Sequence, residues 1–255
     1  MRLFWSAFRF QVALAVRTPD TAHVLVTAPL YTIVFLAISE HAGRADLAPY
    51  SVLAPVLMSL WSLALLTASD LISRERSRGT LEAMVATPAS FAVVLVGRIS
   101  AVTTVSLVSF VESWLVAYLL FGRLVHVDHP VTLVCCLVLS ALAMAGTAST
   151  ISALYVLLPT ARTVQNTLTY PFYLLGGILV PVSFLPVWIQ PFSKLVFLSW
   201  SADLLRSSLS PQPVVDELFR LSAIAVLGAA GCALGAFLIR RILRRVRLTG
   251  TLARV

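Results

Sequence analysis

Charge is what this chain has least of. Asp, Glu, Lys and Arg together supply 12% of its 255 residues, against about 25% in an ordinary soluble domain. The shortage is arranged in blocks, since residues 47–69, 99–111, 129–161, 163–193 and 221–239 hold none of the four. That pattern excludes a solvated globular surface over most of the length. Lysine is nearly absent: of 19 basic residues only Lys194 is not arginine. Cysteine is scarce too, and Cys135, Cys136 and Cys232 all lie in apolar runs, where they read as small buried hydrophobes rather than a disulfide framework or a metal set. His-Glu-x-x-His, Gly-x-Ser-x-Gly and paired-aspartate motifs are missing, which removes the usual signs of hydrolytic or metal chemistry. His126, Asp128 and His129 form the one compact polar cluster and read as a solvated loop. No catalytic residue and no metal ligand is therefore expected. The phosphate-cradling Gly-x-x-x-x-Gly-Lys-Ser/Thr loop is also absent, so no ATP site of that kind is expected here.

What is present is apolar sequence, 59% of the chain. A bilayer core about 30 Å thick is crossed by roughly 20 apolar residues in a helix. Within lipid only helices or closed barrels pair every backbone N–H and C=O. Barrel strands alternate polar and apolar positions, whereas Val52-Leu53-Ala54-Pro55-Val56-Leu57-Met58 is apolar on every side. The expected fold class is therefore an all-α polytopic membrane protein. Residues 1–18 form an amphipathic interfacial helix, with Arg2, Ser6, Arg9, Ala13 and Arg17 on one stripe and Leu3, Phe4, Phe8 and Val12 opposite. Pro19 separates this helix from the first span. Residues 19–255 are expected to form a single transmembrane domain with six spans, about 21–39, 48–70, 92–121, 131–158, 164–180 and 218–239. Between the fifth and sixth, residues 181–213 carry Pro181, Pro186, Pro191, Pro211 and Pro213, a density no continuous helix tolerates. An external re-entrant helical hairpin is expected there.

The net charge of +8 is no sign of nucleic acid, because the basic residues gather at span ends. With both termini in the cytoplasm, the inner side holds Arg2, Arg9, Arg17, Arg74, Arg76, Arg78, Arg98, Arg162, Arg240, Arg241, Arg244, Arg245, Arg247 and Arg254. The outer side keeps Arg44, Arg123, Lys194, Arg206 and Arg220. Excess basic charge marks cytoplasmic loops, and an odd number of spans would split the two basic ends.

The charged segment after the second span, 71–90, is the most informative. It contains Arg74-Glu-Arg-Ser-Arg-Gly-Thr-Leu-Glu82 and then Ala86-Thr-Pro-Ala-Ser90. Leu81, Met84 and Val85 share one helical face and Glu82 points away, so a short helix with a charged surface and an apolar underside is expected. This string resembles the signature of type-2 ABC exporter permeases, which include antibiotic-resistance and nodulation-factor export subunits. Arg17-Thr-Pro-Asp20 at the first span, Gly176-Gly-Ile-Leu-Val-Pro-Val-Ser-Phe-Leu-Pro186 after the fifth, and Ala202-Asp-Leu-Leu-Arg206 are similar to further parts of that family. One departure is Leu198-Ser199, where many members carry Asn-Pro.

The resemblance implies a transport subunit of a bacterial cytoplasmic membrane, not an enzyme, that exports an amphipathic or hydrophobic substrate such as a drug, antibiotic, lipid or glycolipid. It implies two copies of a separate ABC ATPase subunit, which would hold ATP and Mg, and a second permease copy, either identical or a sister chain. Glu75, Arg76, Arg78, Gly79 and Glu82 are the residues it assigns to docking on that ATPase. Met58, Trp61, Glu112, Tyr170, Phe172 and Tyr173 are the expected substrate path. Gly176, Gly177, Pro181 and Pro186 belong to the re-entrant region. Glu112 is a carboxylate inside a span, where insertion costs about 2.5 kcal/mol or more; it reads either as a substrate or proton site or as a structural hydrogen-bonding group. The competing readings are an intramembrane lipid-modifying enzyme, which needs convergent polar groups at membrane depth, and an ion-coupled carrier, which needs charged or carbonyl-lined filters.

Overall fold

In the computed structural model the described residues are all except 1, 16, 18, 44–47, 78–90, 123–124, 158–160 and 250–255. Every regular element among them is helical. They are α1 (Arg2–Ala15), α2 (Pro19–His41), α3 (Ala48–Ser77), α4 (Phe91–Ser106), α5 (Val108–Phe121), α6 (Pro130–Leu157), α7 (Ala161–Leu175), a 3-10 turn (Val182–Phe184), α8 (Gln190–Ser193), α9 (Phe197–Ser208) and α10 (Glu217–Thr249). Among the described residues four stretches are long and apolar enough to cross a membrane: Pro49–Leu66, Val93–Phe121, Pro130–Ala153 and Glu217–Arg241, with a shorter apolar helix at Val26–His41.

The surface supports the same conclusion independently. Val26, Leu30, Val34 and Ile38 on α2, Val111, Leu115 and Leu119 on α5, Val131, Val134 and Val138 on α6, and Leu218, Val226, Leu234 and Phe237 on α10 are all exposed. Soluble monomers do not present apolar strips of that extent. Inside, serine and threonine hydroxyls turn back to their own helices: Thr32 donates to the Ala28 carbonyl at 3.0 Å and Ser149 to the Ala145 carbonyl at 2.6 Å. These bonds satisfy polar atoms without water.

α3 lies at the centre, its Val52–Trp61 stretch almost wholly buried, and packs against α2, α4, α5, α6, α7 and α9. α1 packs along α4, where Gly97 admits the Phe4 carbonyl; a Cβ there would sit 2.9 Å from that oxygen. Arg98 donates to Gln11 Oε1 at 2.7 Å and stacks over Phe10 at 5.5 Å.

The expected third span, 92–121, is broken at Leu107 into α4 and α5. Neither proline nor glycine sits at the break. Thr103 and Thr104 both bond the Ser100 carbonyl, at 2.9 and 2.8 Å, and Ser106 bonds the Thr103 carbonyl at 2.7 Å. Clustered hydroxyls of this kind compete with the helical ladder and bend it. On the far side of the break Ser109 meets Ser59 of α3, hydroxyl to hydroxyl, at 2.8 Å.

Helix bounds differ from expectation at three other places, and the expected fifth span, 164–180, is a helix that stops at Leu175. α3 continues to Ser77, so the second span and the start of the charged segment are one rod. α10 runs through its arginines to Thr249.

α9 gathers one pole of the molecule. Its Arg206 touches Tyr50 near the start of α3 and the carbonyls of Gly177 and Ile178 just past the end of α7. The Ser208 carbonyl accepts from the His129 N–H at the start of α6, and Asp203 lies 3.5 Å from Arg220 near the start of α10. The arginine-bearing ends of α3 and α10 project to the opposite pole.

Candidate functional site

Two cavities share the wall between α2, α3 and α7. The first, about 710 Å³, is lined by Tyr31 and Phe35 of α2, Pro55, Met58, Ser59 and Ser62 of α3, and Asn166, Thr169, Tyr170 and Tyr173 of α7, among others. The second, about 800 Å³, continues past Phe35 and Leu179 to Tyr50, Ser51, Ala54, Ile178 and Pro181. Both are within the range of drug-sized sites, about 300–1,000 Å³. Their lining mixes aromatic rings, aliphatic carbons and a few neutral hydroxyl and amide groups. Such walls offer apolar area with neutral hydrogen-bonding groups, and none of the lining residues carries a charge.

The wall is built by helices that each hold an interior proline. α2, α3 and α7 carry Pro29, Pro55 and Pro171, and each proline removes one ladder bond from its helix. One hydroxyl braces the wall. Tyr173 shares a hydrogen bond with Ser62 Oγ at 2.6 Å and donates to the Met58 carbonyl at 3.2 Å. Behind it Trp61 and Phe172 stack with centroids 4.4 Å apart.

Of the expected path residues, the structure brings together Met58, Tyr170 and Tyr173 around the first cavity. Tyr170 is 74% exposed and stands at its rim. Trp61 and Phe172 do not line it. Glu112 is elsewhere, on α5, and its Oε2 is buried without a hydrogen-bond partner among the described residues. Gly176 and Gly177 end α7, Gly177 with φ +63, and a Cβ on Gly176 would lie 2.7 Å from the Phe172 carbonyl. Pro181 lines the second cavity and Pro186 is exposed. Glu75 and Arg76 fall on the α3 extension, while Arg78, Gly79 and Glu82 lie outside the described residues. Among the described residues no cluster of His, Cys, Asp and Glu suits a metal.

Two features escaped sequence reasoning. One is the bond from Arg206 to the carbonyls of Gly177 and Ile178 just past α7, which exists only in three dimensions. The other is the α6–α10 seam, where a Cβ on Gly146 would run into the Gly228 carbonyl and one on Gly235 would lie 2.8 Å from Ser149 C. Thr150 also donates to the Gly231 carbonyl at 2.8 Å. Small residues three and four apart on both helices were the signal available. The contacts Ala143 with Gly228, Gly146 with Gly231 and Ser149 with Gly235 advance together, so α6 and α10 run parallel.

A family model described as ABC-2 type transporter matches residues 2–210. The comparison with curated proteins returns no match.

Proposed function

The chain belongs to the ABC-2 type transporter family, and from that premise we propose that this membrane subunit of an ABC transporter exports an amphipathic or hydrophobic molecule, driven by a separate ATPase. The observation that carries the reading is the groove between α2, α3 and α7, lined by Tyr31, Phe35, Met58, Tyr170 and Tyr173. It offers apolar area with neutral polar groups, and it sits on the rod that leads into the charged segment. α3 is continuous from the groove wall to Ser77, so a push on its 71–77 end reaches Met58 and Ser62 along one helix. Glu75, Arg76, Arg78, Gly79 and Glu82 are the proposed docking residues. ATP and Mg belong to the partner. Glu112 lies outside this groove on α5 and keeps its two readings, a substrate or proton site and a structural hydrogen-bonding group.

Six spans and a re-entrant segment are the topology that best accommodates the geometry. The parallel run of α6 and α10 needs one net crossing between them, and α7 supplies it if residues 176–216 begin and end on one side. Fifteen residues of α7 reach only about 22 Å at 1.5 Å per residue, so Gly176–Val180 would complete that span. With the arginine-bearing ends of α3 and α10 at the opposite pole, the basic-inside rule favours a cytoplasmic location for both termini, and a bacterial inner membrane is what the family resemblance implies. A second permease copy would close the open side of the groove, where Tyr170 and Leu174 of α7 are exposed.

The test is co-expression with the phosphate-loop ATPase encoded by a neighbouring reading frame, scoring co-purification, ATP hydrolysis and efflux. Arg76→Glu combined with Glu82→Arg is expected to lower efflux and coupled ATP hydrolysis while leaving membrane insertion unchanged. Unaltered efflux in that double variant counts against the docking role.

A further inference from the structure

Arg206 is a partly buried cation whose guanidinium is held from two directions. Its Nη2 donates to the carbonyl of Gly177 and, at 3.2 Å, to that of Ile178. These carbonyls lie just past the end of α7, whose own last acceptors on Phe172, Tyr173 and Leu174 are taken by the N–H groups of Gly176, Ile178 and Gly177, so Arg206 ties down the chain that follows the helix from a distant element. The same guanidinium carbon stands 4.7 Å from the centroid of the Tyr50 ring on α3. Tyr50 and Ile178 both line the second cavity. One side chain thus joins the three elements that close that cavity at the α9 pole.

The two attachments differ in kind. Breaking the carbonyl bonds would orphan two acceptors and the charged fork in a place with little water, which is costly. The ring contact has no hydrogen-bond direction and orphans nothing when it parts. Gly176 packs directly on α9, where an added Cβ would lie 2.8 Å from the Leu198 Cβ, so the α7 end and α9 hold together as one unit. We propose that Arg206 is a positioning residue of an outer latch, fixed to α7 by its hydrogen bonds and closed on α3 through the face of Tyr50. The cavity opens at this pole when the ring and the guanidinium separate. This inference rests on the transport reading and adds to it the residues that hold the exit shut.

The experiment uses the full chain in membranes, with Cys135→Ser, Cys136→Ala and Cys232→Ala, and the reporter Ala54→Cys on the second cavity. The readout is the rate of labelling by a membrane-impermeant maleimide added from each side in turn. Tyr50→Leu is expected to raise the labelling rate from the α9 pole about tenfold, the scale of one desolvated cation–ring contact. Tyr50→Phe, which keeps the ring face, is expected to stay within about twofold of the parent. Arg206→Gln should match Tyr50→Leu; if it fails to reach the membrane, the Tyr50 pair still decides. Equal rates for Phe and Leu, whether both raised or both unchanged, would overturn the latch. Labelling needs no ATPase. Unchanged labelling beside intact ATP-driven efflux therefore defeats the latch alone, and the expected labelling without any ATP-driven efflux defeats the transport reading alone.

Discussion

The α6–α10 seam and the α2–α3–α7 groove are built from the same apolar alphabet and behave oppositely. At the seam, Gly146, Gly228, Gly231 and Gly235 bring two backbones into contact, leaving no room for even one added carbon at Gly146. At the groove, Tyr31, Met58, Tyr170 and their neighbours hold about 710 Å³ open. The helices of the seam have no interior proline, since Pro130 only begins α6. All three helices of the groove have one. Close packing between small residues in lipid resists deformation, whereas a helix short of a ladder bond bends more readily. The difference assigns the seam to the fixed frame and the groove to the part that changes shape.

The seam should break most severely. Gly146→Val places branched carbons where even a lone Cβ would overlap the Gly228 carbonyl oxygen. Overpacking of this kind costs roughly 3 kcal/mol or more, so an apparent melting temperature about 10 °C lower is expected in detergent. Ala230→Val, on the exposed face of α10, is the control and should melt like the parent. Equal melting of the two variants would erase the contrast.

At the groove the dissociation should run the other way. Met58→Trp fills the first cavity, and efflux is expected to fall to background while the melting temperature stays within about 4 °C. Unimpaired efflux would move the substrate path elsewhere. The smallest effect belongs to Tyr173→Phe, which removes the hydroxyl held by Ser62 and Met58. A loss of about 1 kcal/mol is expected, read as a melting shift of about 2–4 °C. A shift as large as that of Gly146→Val would mean that the groove wall is as rigid as the seam.

Much of the helical architecture was legible in the sequence because lipid imposes a simple requirement: long charge-free runs become helices. The break at Leu107 was not, because Thr103, Thr104 and Ser106 bend a helix through side-chain bonds that leave no proline or glycine behind. Glycines 146, 228, 231 and 235 were visible, but which helix each one faces is decided by the fold. The groove was partly readable. Met58, Tyr170 and Tyr173 meet there, but Trp61 and Phe172 spend their rings on each other and Glu112 belongs to another helix. Arg206 was beyond reach, since its partners at Gly177 and Ile178 are 29 and 28 residues away and no local pattern pairs them. The charged string at 74–82 carried the family by resemblance rather than by any physical periodicity.

The proposed transport depends on helices moved from outside the bilayer by hydrolysis in another subunit. The most direct measurement is uptake of a fluorescent amphipathic dye into inverted vesicles containing this chain, with and without the ATPase subunit and with ATP or a non-hydrolysable analogue. The expected result is dye accumulation only when the ATPase and hydrolysable ATP are both present. Accumulation at the same rate from the chain alone, with no nucleotide hydrolysed, would contradict it.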